Sequence, residues 1–586
     1  MGISYLDLSI IIVFLLGSLG IGLYYVKRAS KNLESYYLGG RSFPWWLSGL
    51  SMVATTFAAD TPLAVTELVA QKGIAGNWLW WNMMAGGMLT TIFFAHLWWR
   101  SGILTDVELV EVRYSGAPAR FLRGLKSIYL GFFMNILIIG WVNKAMEALL
   151  VSFFGLDESN TFWALAACML LVVLYSGLSG LWGVAVTDAV QFGLAMVGCI
   201  ALAFVVLDLP QVGGIDGINA KLGPTGALSF FPQVSSTGGV GSVLALSAST
   251  FFAYIGIQWW SSWYPGAEPG GGGYVAQRIM SAKSQRDATF SSLLFQIMHF
   301  CVRPWPWIIV ALASVILYPG LDEPKMGYVY AMRDYLPNGL RGLLLASFLA
   351  AYMSTISAQF NWGASYLVND LYVRFINPKS TDKAQINASR VVTFFIAFCA
   401  LFATRFMDSI SGVWLFMLEA GGGIGLVLIL RWYWWRVNAW SELVATLAPP
   451  IVYMIIKYTN LLPADLTIFP NSFFIIVGTT TVLWLLATFA TNPETDATLQ
   501  AFYNRVRPEV GWRPVREALS IPKENTFFAW RIVCWLAAIS LGYSILFGLG
   551  YFIFKDYYAA VISLLVVVVS LYVFLVTGKK AKVWNQ

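Results

Sequence analysis

Seven ionisable side chains stand inside otherwise apolar stretches: Asp60, Glu67, Lys144, Glu147, Asp188, Arg303 and Glu419. A charge at membrane depth is costly and marks a candidate for ion or solute handling. Lys144 and Glu147 are three residues apart on one helical face, a spacing at which they neutralise each other. Arg303, beside Pro304 and Pro306, is open to two readings: a guanidinium locked on a backbone carbonyl, or a functional charge. Glu67 and Lys72 sit near the end of their stretch, within reach of water. Asp60, in ATTFAADTPLAVTE, and Asp188, in VTDAVQ, have no such relief. Hydroxyls gather at the same depth: Thr55, Thr56 and Thr61 near Asp60, and the cluster MSTISAQFN at 353–361. A sodium ion needs about five or six oxygens in place of its hydration shell, and carbonyls freed by a broken helix supply several. Hydroxyls of Ser354 and Thr355 facing a break near Ala54–Phe57 meet that need. The same hydroxyls, read otherwise, bond their own preceding carbonyls or cross-link two helices.

The elements that must hold these residues follow from composition. The chain of 586 residues is 58% hydrophobic and 11% charged, against about 25% charged for a soluble domain. Bilayer crossing takes about 20 apolar residues, and about fifteen such stretches are predicted. Their approximate bounds are 5–27, 44–71, 77–99, 121–153, 161–182, 186–207, 240–263, 289–318, 340–366, 389–408, 411–430, 441–459, 472–491, 529–554 and 557–577. The first runs into Lys27 and Arg28 with no small-residue cleavage site after it, which predicts a retained helix. Polar clusters predict interruptions in the second span, at Thr55–Pro62, and in the ninth, at 353–361. Broken helices survive in a bilayer only where protein or a watery cavity covers the freed backbone, and paired breaks point to a transporter's binding site. The five cysteines lie in apolar runs as small hydrophobes, and His96 and His299 stand in different spans, so neither a transition-metal site nor an enzyme's catalytic cluster is expected.

The net charge of +7 is a topology signal, not a nucleic-acid patch. Most of the 37 Lys and Arg residues fall in alternate loops, beginning with the loop after the first span. Cytoplasmic loops carry that excess, so the N-terminus is expected outside, the C-terminus in the cytoplasm, and the chain in a plasma membrane, as in a prokaryotic inner membrane. The Gly-, Ser- and Pro-rich loop 208–239 is expected outside, and the polar connector 492–528 inside.

Four segments resemble the sodium/solute symporter family, which includes proline, sialic acid and sodium/glucose symporters. They are SYYLGGRSFPWWLSGLSMVATTFAAD (35–60), YSGLSGLWGVAVTDAVQF (175–192), YVAQRIMSAKS (274–284), which matches a QR-x-x-x-AK loop, and AAYMSTISAQFN (350–361), which matches an A-x-M-S-[ST] sodium signature. The resemblance runs on through RWYWWRVNAW (431–440). It implies an all-α integral membrane protein with a leucine-transporter-like core of two inverted five-helix repeats. Residues 1–43 would be an extra helix and a cytoplasmic loop, 44–207 the first repeat, 208–239 an external loop, 240–440 the second repeat, and 441–586 four further helices. It implies a sodium site formed by the carbonyls of Ala54, Phe57 and Ala351 with the hydroxyls of Ser354 and Thr355. Asp188 and Ser357 would serve a second sodium or the ion's exit path, although Ala358 replaces a serine ligand of relatives with two sodium sites. The solute contacts implied are Asp60, Thr61, Asn82, Asn135, Gln258, Trp259 and Glu419. The segment WYPGAEPGGGGYVAQR (263–278) departs from the better-known relatives and is expected to lengthen the inner end of the seventh span.

The function expected is sodium-coupled symport, by alternating access, of a small polar solute such as a sugar. A proton-coupled symporter with Asp60 or Asp188 as the titrating group, and a non-transporting solute sensor, are the alternatives. Sodium and the solute are the expected partners, with lipid around the chain. Oligomeric state has no signature in the sequence.

Overall fold

The computed structural model describes residues 3–29, 31–231, 248–407, 410–459, 461–522 and 527–584. The start of the predicted seventh span (240–247) and the end of the loop before it (232–239) lie outside the described residues. Among those described the chain is helical, without strands. That is what a hydrocarbon solvent demands, since helices satisfy their own backbone groups.

Among the described residues ten helices are long and apolar enough to cross a bilayer. They coincide with ten of the predicted stretches: the first, fourth, sixth, eighth to tenth, and twelfth to fifteenth. The other five stretches are shorter or interrupted. The second is Trp45–Thr55 followed by Asp60–Lys72, and the eleventh is Ile410–Ala420 followed by Ile424–Tyr433. The fifth and sixth run together as Glu158–Leu207, bent at Gly180, whose φ of 56° takes the chain out of helical geometry. Only glycine adopts that region without strain.

Burial separates core from rim. The most apolar stretch of span nine, within Leu340–Ile376, is 94% buried, against 11% for Tyr557–Lys580 at the C-terminus. The latter exposes Leu564, Leu565, Val568 and Val569, a face suited to lipid. Span nine is thus the central post.

Three expectations are corrected here. Span nine is not broken at 353–361: Leu340–Ser365 is one continuous helix. Its hydroxyls do not compete the backbone out of helix. Ser357 Oγ donates back to the Ser354 carbonyl at 2.9 Å, and Ser354 and Thr355 donate to other spans. The second broken element beside span two is instead span seven. Its described helical part ends at Trp259–Ser261, and a non-helical stretch, 262–272, leads to the short helix Gly273–Met280. The segment 263–278 therefore does not lengthen the span but breaks it, because Gly266, Gly270 and Gly271 hold φ near +80°. The QR segment, expected as a loop, is that buried helix. Backbone freed at the break is satisfied by span eleven's own interruption: Trp263 N donates to the Gly421 carbonyl at 3.0 Å, and Gly423 N to the Ser261 carbonyl at 2.9 Å.

Candidate functional site

The break in span two is written locally. Thr55 Oγ1 donates to the Ser51 carbonyl, and Thr56 Oγ1 to that of Val53, so both hydroxyls bond backbone groups one turn back. Pro62 has no amide hydrogen to continue the ladder, and its ring would clash with the carbonyl of Ala58 in an unbroken helix. The helix therefore stops at Thr55 and restarts at Asp60. Phe57 N donates to the Ala54 carbonyl at 3.0 Å and Thr61 N to the Ala58 carbonyl at 3.2 Å, which tightens the turn between.

Span nine presents its hydroxyls to this break. Thr355 Oγ1 donates to the Thr55 carbonyl at 2.9 Å. Ser354 Oγ donates to Asp188 Oδ1 at 2.6 Å, and Ser51 Oγ to Asp188 Oδ2 at 2.6 Å. Asp188 on span six thus joins spans two and nine. Ala54, Phe57, Ala351, Ser354, Thr355 and Ser357 are all buried. Ala54 is one residue from the helix end, Phe57 is inside the break, and Ala351 is one turn before Thr355. The Phe57 ring packs on Trp307 at 4.8 Å, which fixes the turn against span eight.

Arg278 was not singled out from the sequence. Its guanidinium is fully buried, 4.0 Å from Asp188, and donates to Ser51 Oγ at 3.3 Å, Thr55 Oγ1 at 3.4 Å and Gln277 Oε1 at 3.0 Å. The QR pair was the only signal, and the residues it meets are far away in the chain.

Beside the break lies a cavity of about 100 Å³. Thr55, Thr56, Asp60 and Thr61 line it from span two and Thr355 and Gln359 from span nine, so the hydroxyls at the break and the cavity adjoin. Trp80, Trp141, Tyr264, Tyr274 and Trp414 supply aromatic walls. His299 and Arg303 complete it from span eight. His299 lies in the widened π-helical turn Ile297–Val302. Arg303 Nη1 donates to the Val53 carbonyl at 3.1 Å and to Thr56 Oγ1 at 3.0 Å, and Thr56 Oγ1 is 2.9 Å from His299 Nδ1. Arg303 is therefore both bonded to a carbonyl and part of a solute-sized chamber.

Of the seven solute contacts implied by resemblance, Asp60 and Thr61 line the cavity. Asn135 sits one layer behind it, donating to the Gln359 carbonyl at 2.9 Å. Asn82 and Gln258 meet elsewhere, both donating to the Leu79 carbonyl at 2.9 Å. Trp259 packs on Trp535, with ring centroids 5.7 Å apart. Glu419 bonds Ser472 and pairs with Lys457 at 3.4 Å. Lys144 and Glu147 pair at 3.0 Å.

Residues 36–448 match the model of the family described as "Sodium:solute symporter family". The sodium/glucose cotransporter of Vibrio parahaemolyticus is 22% identical over 487 residues, covering 78% of this chain and 86% of that one. The sodium/proline symporter of Escherichia coli K12 is 24% identical over 469 residues, covering 75% and 85%. A solved structure of a sodium-coupled sialic acid symporter superposes with a TM-score of 0.65 at 18% identity, covering 84% of this chain and 99% of that one. The all-helical leucine-transporter-like fold is shared with that neighbour. The family consists of transporters rather than enzymes, and the match spans most of the chain, with the broken second span, Asp188 and the hydroxyls of span nine all inside it. The chain belongs to the sodium:solute symporter family.

Proposed function

We propose that this protein moves a small polar organic solute into the cell together with sodium, by alternating access, in a plasma membrane with its N-terminus outside. The observation that carries this reading is the meeting of a helix broken at Thr56–Ala59 with Thr355 and Ser354, at the edge of a buried polar cavity. Both hydroxyls donate their hydrogens elsewhere, to the Thr55 carbonyl and to Asp188. That leaves their oxygen lone pairs free to face a cation. With the carbonyls of Ala54, Phe57 and Ala351 they form a set of neutral oxygens suited to a monovalent ion, the donor type found in ion-coordinating filters and broken transporter helices. Bound sodium would supply the charge that holds the two halves of span two against span nine. Thr55 and Thr355 also line the cavity, so ordering them for the ion shapes the wall that the solute touches. Such coupling is reciprocal in binding free energy. The membrane potential adds about 2.3 kcal/mol per charge per 100 mV to inward movement. Asp188, already joined to Arg278, would guide the ion's departure or a second ion. The relatives' names offer a sugar and an amino acid as solute classes.

Uptake into proteoliposomes under an inward sodium gradient, compared with a pH gradient, tests the coupling ion. Sodium alone is expected to drive accumulation. The Ser354→Ala/Thr355→Ala variant is expected to need roughly ten-fold more sodium for half-maximal uptake, a loss of about 1.4 kcal/mol. Unchanged sodium dependence in that variant would remove the site assignment, and uptake driven equally by protons would remove sodium coupling.

A further inference from the structure

The solute cavity contains two opposite charges that are not joined. Asp60 is 3% exposed, and its Oδ1 has no hydrogen-bond partner. Arg303 is 1% exposed, and its Nε has none. Both residues line the same chamber, yet Asp60 forms no ion pair among the described residues. Behind Thr55, which lines the chamber and accepts from Arg278 at 3.4 Å, the chain solves the same problem differently, with Asp188 and Arg278 4.0 Å apart and bridged by Ser51. Leaving one partner of a buried ionic pair without compensation costs several kcal/mol. A separated pair lining a cavity is therefore a demand for a ligand that completes both ends.

We propose that the solute is a zwitterion of the amino-acid type, its ammonium held by Asp60 and its carboxylate by Arg303. This rests on the symport reading and names its solute. A sugar would bring hydroxyls to both ends but no charge to either. A carboxylate without an amine would satisfy Arg303 and add repulsion at Asp60, and an amine without a carboxylate would do the reverse. A zwitterion leaves the net charge of the chamber unchanged and compensates each group locally.

The chemistry around each end agrees. Arg303 spends Nη1 on Val53 and Thr56, and its Nη2 makes only a long contact, 3.4 Å, to His299 Nε2. The edge formed by Nε and Nη2 is the one that binds a carboxylate through two parallel hydrogen bonds. Gln359 Oε1 is a second buried acceptor without a partner that also lines the cavity. An ammonium has three hydrogens and can serve Asp60 and Gln359 together. Trp80, Trp141 and Trp414 wall the chamber, and their faces favour a cation over a neutral group.

The test is thermal unfolding of the purified full-length protein in sodium chloride and in choline chloride. The probes are neutral L-α-amino acids, the amines lacking their carboxyl group, the acids lacking their amine, and D-glucose and D-galactose. At least one amino acid is expected to raise the melting temperature in sodium, while its amine and acid fragments and the hexoses do not. Asp60→Asn and Arg303→Gln are each expected to weaken that amino acid about ten-fold or more, the scale of a lost charged hydrogen bond. Stabilisation by sodium alone in these variants shows that they are folded. A hexose or a single-charge fragment acting as well as any amino acid overturns the zwitterion and leaves sodium symport standing. Silence of every amino acid in a protein that sodium stabilises overturns it too. A wild-type protein indifferent to sodium sinks the symport reading itself.

Discussion

Asp188 accepts hydrogen bonds from Ser51 on span two and Ser354 on span nine, and its charge is balanced by Arg278 from the second half of span seven. One carboxylate on span six thus ties together spans two, seven and nine. Both charged groups are fully buried, so removing one leaves the other uncompensated, a loss of about 3–5 kcal/mol. Arg278→Gln is expected to lower the melting temperature strongly, and Asp188→Asn/Arg278→Gln to recover part of the loss. Thermal unfolding of the single and double variants checks this. A double variant no more stable than the single would mean that Arg278 is held by Gln277 and Thr55 and not by charge. At this scale the sequence was informative where chemistry is local to a motif. Asp188, Ser354 and Thr355 could be named because their types and depth are unusual. Arg278 could not, since its value comes from a contact with residues distant in the chain. The same holds for His299, and although the depth of Arg303 singled it out, its partner Thr56 belongs to another span.

Elements cross closely where small residues allow it. Gly363 on span nine faces span four so tightly that an added Cβ would lie 1.9 Å from Asn135 Nδ2 and 2.7 Å from the Gly131 carbonyl. Small residues at such crossings let backbones approach without a hydrophobic driving force. Gly363→Ala is expected to force the two spans apart, break the Asn135 bond to the Gln359 carbonyl, and shift the cavity wall carried by Gln359. The expected result is a lower melting temperature together with weaker solute binding. Gly478→Ala is the control, because nothing lies within 4 Å of its added Cβ. There the change should be neutral or stabilising by up to about 1 kcal/mol, the helix-propensity difference. Equal behaviour of the two variants in thermal unfolding would refute the packing argument. The helix-level reading of the sequence succeeded for continuous apolar runs, whose length is a physical requirement of the bilayer. It failed for the breaks outside span two. A hydroxyl cluster looks the same whether it bends its own helix or bonds a neighbour, and span nine does the second. The glycines of 262–272 look like an insertion until Gly421 and Gly423 are seen to pair with that segment.

Across the whole molecule, ion pairs and backbone contacts sort the loops into two ends. At one end Lys126 and Arg431 pair with Glu442, Arg123 with Glu111 and Asp370, and Arg374 with Glu111. Arg113 caps span eleven by donating to the carbonyls of Arg431, Trp434, Trp435 and Val437, and Arg531 meets Glu509. These contacts bring together the loops after spans three, nine, eleven and thirteen. At the other end Asp7 accepts from Gly339 N and Gly342 N, and Lys555 pairs with Asp216, gathering the N-terminus and the loops after spans six, eight and fourteen. Each of these contacts joins loops that the Lys and Arg count places in the same group. By the positive-inside rule the Arg-rich end is expected to face the cytoplasm. Single cysteines at exposed Gln211 and Lys379 test it with a membrane-impermeant maleimide on intact cells, the wild-type protein serving as background. Gln211→Cys should label in whole cells and Lys379→Cys only after lysis. The opposite pattern would invert the whole chain. Labelling of both in whole cells would mean that the two loops share a side and would overturn the sorting of the loops.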